Sequence, residues 1–375
     1  MRELQKMLHK SDLKRVCFLM FLLLLQIPQL LADNADSSSG KTKKFSVLPV
    51  PAFGYSPETK TYVGAVCLFT FRLGDPSNTR ASNAKVEFNY TQRKQFIYEI
   101  GWNIFSKNER NFYQGKLHFS KFPDYFWGTG SFVPEKDKVQ YSANRMFAEC
   151  LGFHLIKKKW YIGASIRYIK YSNVNFLSGD FWTYRVLKFH EAVGFPGIAL
   201  LRDTRDNILL TTKGMYLFTH VTNMYKPKDN YNYMVLDFRK YNTRWKIFTN
   251  SFQFKTVYSN CSNAFDMAAF GGDVTARGYY AGRYRSSLFL TLQKETKIRI
   301  YKRWAIAFFG GASFIGEANP SLSQYDLYDI FEIVGNVGSG IRFLIDRKEN
   351  VNLRLDYAWG MNGNSGFYVA FGEAF

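Results

Sequence analysis

The sequence predicts an all-β fold, a transmembrane antiparallel β-barrel of 16 strands with long external loops and short periplasmic turns, over residues 45–375. Three observations support this prediction: segments in which apolar and polar residues alternate, an even number of such segments, and long connections at one end only. In residues 351–359, for example, apolar side chains at odd positions alternate with Asn352, Arg354 and Asp356. A membrane barrel turns such an apolar face to lipid and the polar face to its lumen.

The predicted strands are separated by turn signals of unequal length. The four longest connections, 121–138, 173–191, 259–284 and 315–334, follow the fifth, seventh, eleventh and thirteenth strands. Because consecutive strands of such a barrel run in opposite directions, all four connections emerge at the same end. The predicted strands are 45–54, 61–73, 82–91, 95–105, 111–120, 139–156, 159–172, 192–202, 213–223, 231–241, 247–258, 285–297, 302–314, 335–346, 350–359 and 366–375.

Residues 1–44 precede the predicted barrel and divide by composition. A basic segment is followed by an uncharged apolar stretch, so we expect residues 1–32 to be a secretory signal peptide. The alternative, a membrane-anchored helix, is disfavoured because Pro28 and its polar neighbours interrupt a run already shorter than the ~20 apolar residues that a spanning helix needs. Residues 33–44 form a polar linker, and we expect no separate folded domain before the barrel.

The composition indicates which partners suit the chain. Aromatic residues make up 18 % of it and the formal net charge is +20, which favours contact with apolar and anionic material. Nucleic acid is disfavoured, because the basic residues alternate with apolar ones along strands and do not cluster on a helix or tail. We therefore expect outer-membrane lipid, including lipopolysaccharide, as the partner and the bacterial outer membrane as the location.

The residue patterns do not indicate an enzyme. The His residues lack metal-ligand spacing, the sequence has no Gly-x-Ser-x-Gly motif, and no glycine-rich loop lies between a strand and a helix. Cys67, Cys150 and Cys261 are scattered singly, which favours neither a disulfide framework nor a metal site. We expect no catalytic residues, no metal and no cofactor.

The most informative segment is Ala269–Arg285, AFGGDVTARGYYAGRYR, a glycine-rich stretch within the predicted sixth external loop. Its core resembles the (Val/Ile)-Arg-Gly-(Phe/Tyr) motif that the sixth loop carries in the bacterial surface antigen superfamily, the outer-membrane insertases and translocases typified by BamA and TamA. Ala276 stands where that motif has a β-branched residue. The residues of this predicted plug loop are Gly271, Gly272, Arg277, Gly278 and Tyr279.

Two further segments carry the same resemblance. Leu200–Gly214, LLRDTRDNILLTTKG, is similar to a turn of the superfamily between the eighth and ninth strands. We expect Asp203, Arg205 and Asp206 to hold this periplasmic turn by mutual pairing and by Asx-type bonds to backbone N–H groups. The run Gln293-Lys294-Glu295 is similar to the superfamily's Gln-x-Glu strand.

The resemblance implies a function in handling polypeptide or lipid at the outer membrane, through a barrel whose first and last strands pair weakly. The superfamily usually joins its barrel to periplasmic POTRA modules that receive substrates. This chain is expected to be a POTRA-less, barrel-only member. A periplasmic or outer-membrane partner protein would then supply substrate capture.

Arg277 of the plug loop needs a partner if it enters the lumen, because an unpaired charge held away from bulk water is costly. The superfamily often supplies an acidic residue on the thirteenth strand, but the corresponding run 307–312 contains none. We expect Glu295 or Asp356, on the inward faces of the twelfth and fifteenth predicted strands, to pair with Arg277.

The first and last strands predict a weak seam. Pro49 and Pro51 each remove a backbone donor from the first strand, and a short turn ties that strand to the second, so the deficit should fall on the closing side. The last strand carries Phe367, Phe371 and Phe375 in an alternating run that resembles the C-terminal assembly signal of outer-membrane barrels. Lateral opening here is the expected mechanism; the alternative is a passive pore or ligand channel with a cationic lumen.

Overall fold

The computed structural model describes residues 45–131, 133–176, 189–227, 230–316, 331–346 and 351–375. The predicted signal peptide and polar linker lie outside the described residues. The strands are β1 (Phe45–Ser56), β2 (Lys60–Phe71), β3 (Ser82–Thr91), β4 (Phe96–Phe105), β5 (Asn111–Phe126), β6 (Val139–Lys157), β7 (Trp160–Phe176), β8 (His190–Asp203), β9 (Gly214–Tyr225), β10 (Tyr231–Arg244), β11 (Phe248–Ser259), β12 (Ala268–Phe270), β13 (Tyr284–Ser286), β14 (Leu288–Tyr301), β15 (Trp304–Gly316), β16 (Phe331–Asp346), β17 (Val351–Gly360) and β18 (Ser365–Phe371).

Sixteen of these strands form one closed barrel. Neighbours follow the chain order, except that β11 lies beside β14 and β1 closes the barrel against β18. The strands β12 and β13 form a separate two-stranded sheet within the connection from β11 to β14. The predicted fold class, an all-β closed antiparallel barrel of 16 strands, is confirmed.

The two ends of the barrel carry different connections. Because neighbouring strands are antiparallel, the strands that precede the four longest intervals in the barrel, β5, β7, β11 and β15, all end at one rim, which we call the long-loop rim. The opposite end, the short-turn rim, holds the start of β1. No helix among the described residues is long and apolar enough to cross a membrane.

The two faces of the wall differ as the alternation predicts. Val63, Val337 and Ile333 point outward and are about three-fifths exposed, whereas Arg354 and Asp356 are buried inside the barrel. The outer face is thus apolar, and the charged side chains of the wall lie on its inner face. This is the distribution that lets a barrel bury its polar groups and present hydrocarbon-compatible side chains to lipid.

Some strands differ from the prediction at the long-loop rim. The strand β5 continues to Phe126 instead of ending at 120, and it stays paired with β6 as far as Phe126 opposite Val139. In this extension the Tyr141 hydroxyl donates to the Asp124 carboxylate at 3.2 Å, and both side chains are buried. The wall therefore extends beyond the predicted strand ends, because polar side chains there form hydrogen bonds with one another.

The last strand is shorter than predicted. It ends at Phe371, so Phe375 does not belong to the seam as the sequence suggested. Gly372 has φ +86° and turns the chain into the lumen, where Lys297 donates to the Glu373 carboxylate at 2.6 Å. Phe375 then lines a small inner cavity beside Glu295. The ion pair of Glu373 outweighs the alternating pattern, because a carboxylate gains more from a buried cation than from a place at the edge of the sheet.

Candidate functional site

The connection from β11 to β14 folds back and enters the lumen. Its β12 and β13 segments pair antiparallel, and a one-turn helix, Gly272–Thr275, follows β12. Gly271, Gly272 and Gly278 have φ of +113°, +86° and +101°, a region that residues with a side chain rarely adopt. A Cβ on Gly278 would also lie 2.9 Å from the amide nitrogen of Gly360 on β17. Glycine at these positions lets the loop turn sharply and press against the wall.

Arg277 lies at the point where this loop meets the wall. Its guanidinium is 2.8 Å from the Glu295 carboxylate on β14 and 2.8 Å from the Asp356 carboxylate on β17. The structure therefore brings Arg277 together with both residues that the sequence offered as alternatives. The side chain of Arg277 is almost completely buried.

Phe309 of β15 completes the contacts of Arg277. The guanidinium carbon is 3.3 Å from the centre of the Phe309 ring. Phe309 belongs to the run in which the resemblance predicted an acidic residue, and it is paired in register with Glu295. The aromatic face thus occupies the place of the missing acid, because a ring face attracts a desolvated cation, while the carboxylates come from β14 and β17.

The ion pairs of Arg277 belong to a larger network, which we call the Arg277 cluster. Arg342 of β16 bridges Glu295 and Asp356, and Arg354 bridges Asp356 and the loop residue Asp273. Charges balance within the cluster, which meets the requirement that buried ions be paired and hydrogen-bonded. Its members are Asp273, Arg277, Glu295, Lys297, Arg342, Arg354, Asp356 and Glu373.

The seam, the contact between β1 and β18, is the second part of the site. The ladder from β1 to β2 contains twelve residue pairs and runs without a register shift through Pro49 and Pro51. The ladder from β1 to β18 contains one pair, Tyr55 opposite Val369. The structure thus places the missing pairing on the closing side. Pro49 and Pro51 do not interrupt the ladder to β2.

Aromatic side chains on the outer face hold much of the seam. Phe53 and Phe371 meet edge to face with ring centres 6.0 Å apart, and Tyr55 and Phe367 lie 5.8 Å apart. Such pairs contribute roughly 0.5–1.5 kcal/mol each beyond their burial. These contacts need no backbone alignment, so they can hold two strands together while leaving the ladder open.

The plug loop touches both sides of the seam. The backbone amide of Gly278 donates to the Tyr368 hydroxyl on β18 at 2.9 Å. Three residues later, the amide of Ala281 donates to the Glu58 carboxylate at 2.6 Å. Glu58 lies in the turn that joins β1 to β2. The loop therefore bridges the first and last strands at the long-loop rim, and neither Glu58 nor Tyr368 was identified from the sequence.

Tyr279 fixes the loop to the neighbouring wall. Its buried hydroxyl donates to the Gly335 carbonyl and accepts from the Met361 amide, both at 2.7 Å. The ring packs with Phe270 and Tyr284, at centre distances of 5.4 and 6.1 Å. Aromatic packing and two hydrogen bonds at one side chain make this a rigid attachment, with Arg277 two residues away.

The turn predicted from Asp203, Arg205 and Asp206 lies at the short-turn rim. Arg205 donates to both carboxylate oxygens of Asp203 at 3.0 and 3.1 Å, and Asp206 accepts from the amides of Thr212 and Lys213. These are the mutual pairing and backbone bonds expected from the sequence. The turn meets no member of the plug loop in these contacts.

The same turn is linked to three other turns by ion pairs that the sequence did not indicate. Arg80 is 3.1 Å from both Asp203 and Glu109, and Lys159 is 2.5 Å from Glu109. Burial disfavours the charged Glu109 carboxylate, but Arg80 and Lys159 outweigh that effect and hold the pKa of Glu109 below its usual value. Glu109 is thus ionised at neutral pH and ties the short-turn rim together.

Comparison with known proteins identifies the fold. No protein-family model matches the sequence, and no curated protein matches it. The structure is similar to CdiB from Escherichia coli, with a TM-score of 0.59 at 9 % identity over 90 % of this chain and 64 % of that chain. It is similar to BamA from Haemophilus ducreyi lacking POTRA domains 1–3, with a TM-score of 0.53 at 9 % identity over 88 % and 70 %.

A third similar structure is CdiB from Acinetobacter baumannii, with a TM-score of 0.54 at 10 % identity over 88 % of this chain and 60 % of that chain. The chain therefore spans less than two thirds of either CdiB chain. At these identities the likeness shows the fold: a 16-stranded barrel that resembles the BamA and CdiB barrels.

Proposed function

We propose that this protein assists the insertion or translocation of protein or lipid at the bacterial outer membrane, through lateral opening of the seam. One observation carries the proposal: β1 has twelve register pairs with β2 and one with β18. At roughly 0.5–1.5 kcal/mol net per hydrogen bond, a ladder this incomplete separates far more readily than any other in the barrel.

The plug loop would regulate that opening. It is anchored by the Arg277 cluster on one side and bridges Glu58 and Tyr368 across the seam. Opening of the seam must break the contact with Glu58, the contact with Tyr368, or the anchor itself. The role involves no covalent chemistry, so we propose a non-enzymatic function without a cofactor. Outer-membrane lipid, including lipopolysaccharide, and a substrate-capturing partner protein are the proposed partners.

A disulfide across the seam tests the proposal. Tyr55→Cys and Val369→Cys, in a background where Cys67, Cys150 and Cys261 are Ala, place two thiols on directly opposed residues. The control joins the same β1 residue to β2 through Tyr55→Cys and Thr61→Cys, which are also in register. Function is measured as restoration of the outer-membrane permeability barrier in a strain that lacks the gene.

We expect oxidation to abolish function in the Tyr55/Val369 variant and reduction to restore it, with the Tyr55/Thr61 variant active throughout. Full activity of the oxidised Tyr55/Val369 variant would rule out lateral opening. In that case a steady conductance in planar bilayers would favour the passive pore, and the fold assignment would stand.

A further inference from the structure

The inward positions of the wall beside the seam are apolar. The inward positions of β1 include Leu48, Val50 and Ala52, and in register on β2 stand Leu68 and Val66. On the next strand, β3, the residues in register are charged: Lys85 is opposite Leu68 and Glu87 is opposite Val66. The lumen therefore has an apolar strip two strands wide, bounded by ion pairs of Lys85 with Glu87 and Glu99 at 2.7 and 3.0 Å.

Four residues of this strip, Val50, Ala52, Val66 and Leu68, line a cavity of about 530 Å³ that reaches the seam, and Lys85, Glu87 and Asp273 line its other side. The size lies within the range of small-molecule and cofactor sites. Both sides of the seam contribute to the lining: Val50 and Ala52 from β1, and Ala370 and Gly372 from the last strand and the residue after it. A ligand that crosses the seam from the membrane would enter this cavity directly.

The wall is incomplete where the cavity meets the seam. Within the described residues, β1 has its single β18 partner at Tyr55, and the chain turns inward after Phe371. The stretch Phe45–Ala52 thus has no strand pairing on that side over about 25 Å, at ~3.3 Å per residue. Its outward residues, such as Val47, are exposed and apolar, so β1 presents an apolar surface on both faces there.

The chemistry of this edge selects against a polypeptide strand. A strand that joined β1 would need its backbone N–H donors, and Pro49 and Pro51 have none; proline at a free edge opposes strand addition. A hydrocarbon chain needs no such donors and gains from apolar contact. We propose that the acyl chain of a membrane lipid enters through the seam and binds in this cavity, against β1 and β2; this rests on the lateral opening proposed above.

Brominated lipids test the site, because bromine quenches a fluorophore only at short range. A bimane label is placed at Val50→Cys in the background where Cys67, Cys150 and Cys261 are Ala, and the full barrel is reconstituted in phosphatidylcholine vesicles with plain or dibrominated acyl chains. Val63→Cys, on the outer face of β2, reports lipid contact. Ser251→Cys on β11 is in register with Glu295 in the lumen. It is the control for quenching by lipid that remains on the other side of the barrel wall.

We expect quenching at Val50 to resemble that at Val63 and to exceed that at Ser251. A second substitution, Val66→Asp, should reduce quenching at Val50 to the Ser251 level by placing a charge in the strip. Gel mobility before and after boiling establishes that this variant has folded. Quenching at Val50 equal to that at Ser251 in the parent barrel would overturn the acyl-chain site and leave a polypeptide occupant.

The two proposals fail in different ways. If the oxidised Tyr55/Val369 barrel loses function while Val50 is unquenched, lateral opening stands and the acyl-chain site is wrong. If Val50 is quenched while the oxidised barrel keeps full function, the site stands and lateral opening as the basis of function is wrong.

Discussion

The two edges of β1 show how one strand can be firmly held on one side and loosely held on the other. Toward β2 it forms twelve register pairs, from Phe45 opposite Phe71 to Ser56 opposite Lys60. Toward β18 it forms one. A three-residue turn joins β1 to β2, so the partners in the first ladder are close in sequence. The partners in the second ladder are about 310 positions away, and the chain leaves the sheet at Gly372.

The difference shows that closure of this barrel depends on side chains and on the plug loop more than on backbone pairing. Aromatic pairs hold the seam on the outer face, and the loop bonds to Glu58 and Tyr368 hold it at the long-loop rim. Removing these contacts one at a time should loosen the β18 edge while the β2 edge remains intact.

The largest effect is expected from Arg277→Ala. The change leaves Glu295 and Asp356 buried with one cation fewer, and breaking a buried pair costs about 3–5 kcal/mol. The barrel should lose its compact gel form at a lower temperature, and hydrogen exchange in β18 should accelerate. Arg239→Ala, which removes an ion pair with Asp237 on the remote strand β10, is the control. Equal acceleration in β18 for both variants would contradict the proposed brace.

Tyr368→Phe should have the next largest effect. The buried amide of Gly278 loses its acceptor, and an unsatisfied buried donor costs about 1–3 kcal/mol. We expect faster exchange in β18 and in the plug loop, with unchanged exchange in β2. Tyr357→Phe on β17, whose side chain points outward, is the matched control and should leave all three segments unchanged. Unaltered exchange in Tyr368→Phe would show that the loop does not hold β18.

Glu58→Ala should weaken the other side of the bridge by roughly 0.5–1.5 kcal/mol, since a single hydrogen bond from Ala281 is lost. Glu58→Gln keeps an acceptor oxygen at the same place and should retain most of the stability. The measurement is the rate of disulfide formation between Tyr55→Cys and Val369→Cys in each background. We expect faster disulfide formation in Glu58→Ala only. Equal rates in both variants would show that the hydrogen bond to Glu58 does not help to hold the seam closed.

The smallest effect is a pH dependence at the short-turn rim, away from the seam. Because the folded pKa of Glu109 is lowered, its stabilising contribution is present above the unfolded value of about 4.3 and is lost as pH falls through the folded pKa. The difference in unfolding midpoint between the parent and Glu109→Gln should therefore be largest at neutral pH and shrink in acid. A difference independent of pH would exclude this ionisation as its cause.

Much of the site could be anticipated from local chemistry. The glycines around Arg277 predicted a tightly turning loop, and the cost of an unpaired buried charge pointed to Glu295 and Asp356. The alternating charges of Asp203, Arg205 and Asp206 predicted mutual pairing within their turn, and Arg205 does pair with Asp203. These features depend on residues close in sequence or on the general cost of burying a charge. They do not depend on which distant segments meet in the folded barrel.

Other features had no local signal. Phe309 under the guanidinium, Glu58 beneath Ala281 and the link from Arg80 to Glu109 and Asp203 each join segments that are far apart in the chain. The alternating pattern extends to Phe375 and predicts it in the seam, but the ion pair of Glu373 with Lys297 holds the terminus inside the barrel. Single-sequence patterns do not record which distant partner a side chain meets.

By itself, the sequence determined the fold class, the two faces of the wall, the rim that carries the long loops and the need of Arg277 for a carboxylate. These depend on a two-residue period, on turn residues and on the electrostatic cost of burial, all of which are properties of the chain within a short window. The tertiary structure alone decided that both carboxylates meet Arg277, that β1 and β18 share one register pair, and that the plug loop bridges them. The physical reason is closure: the curvature of the barrel and its strand register bring residues hundreds of positions apart to within hydrogen-bonding distance.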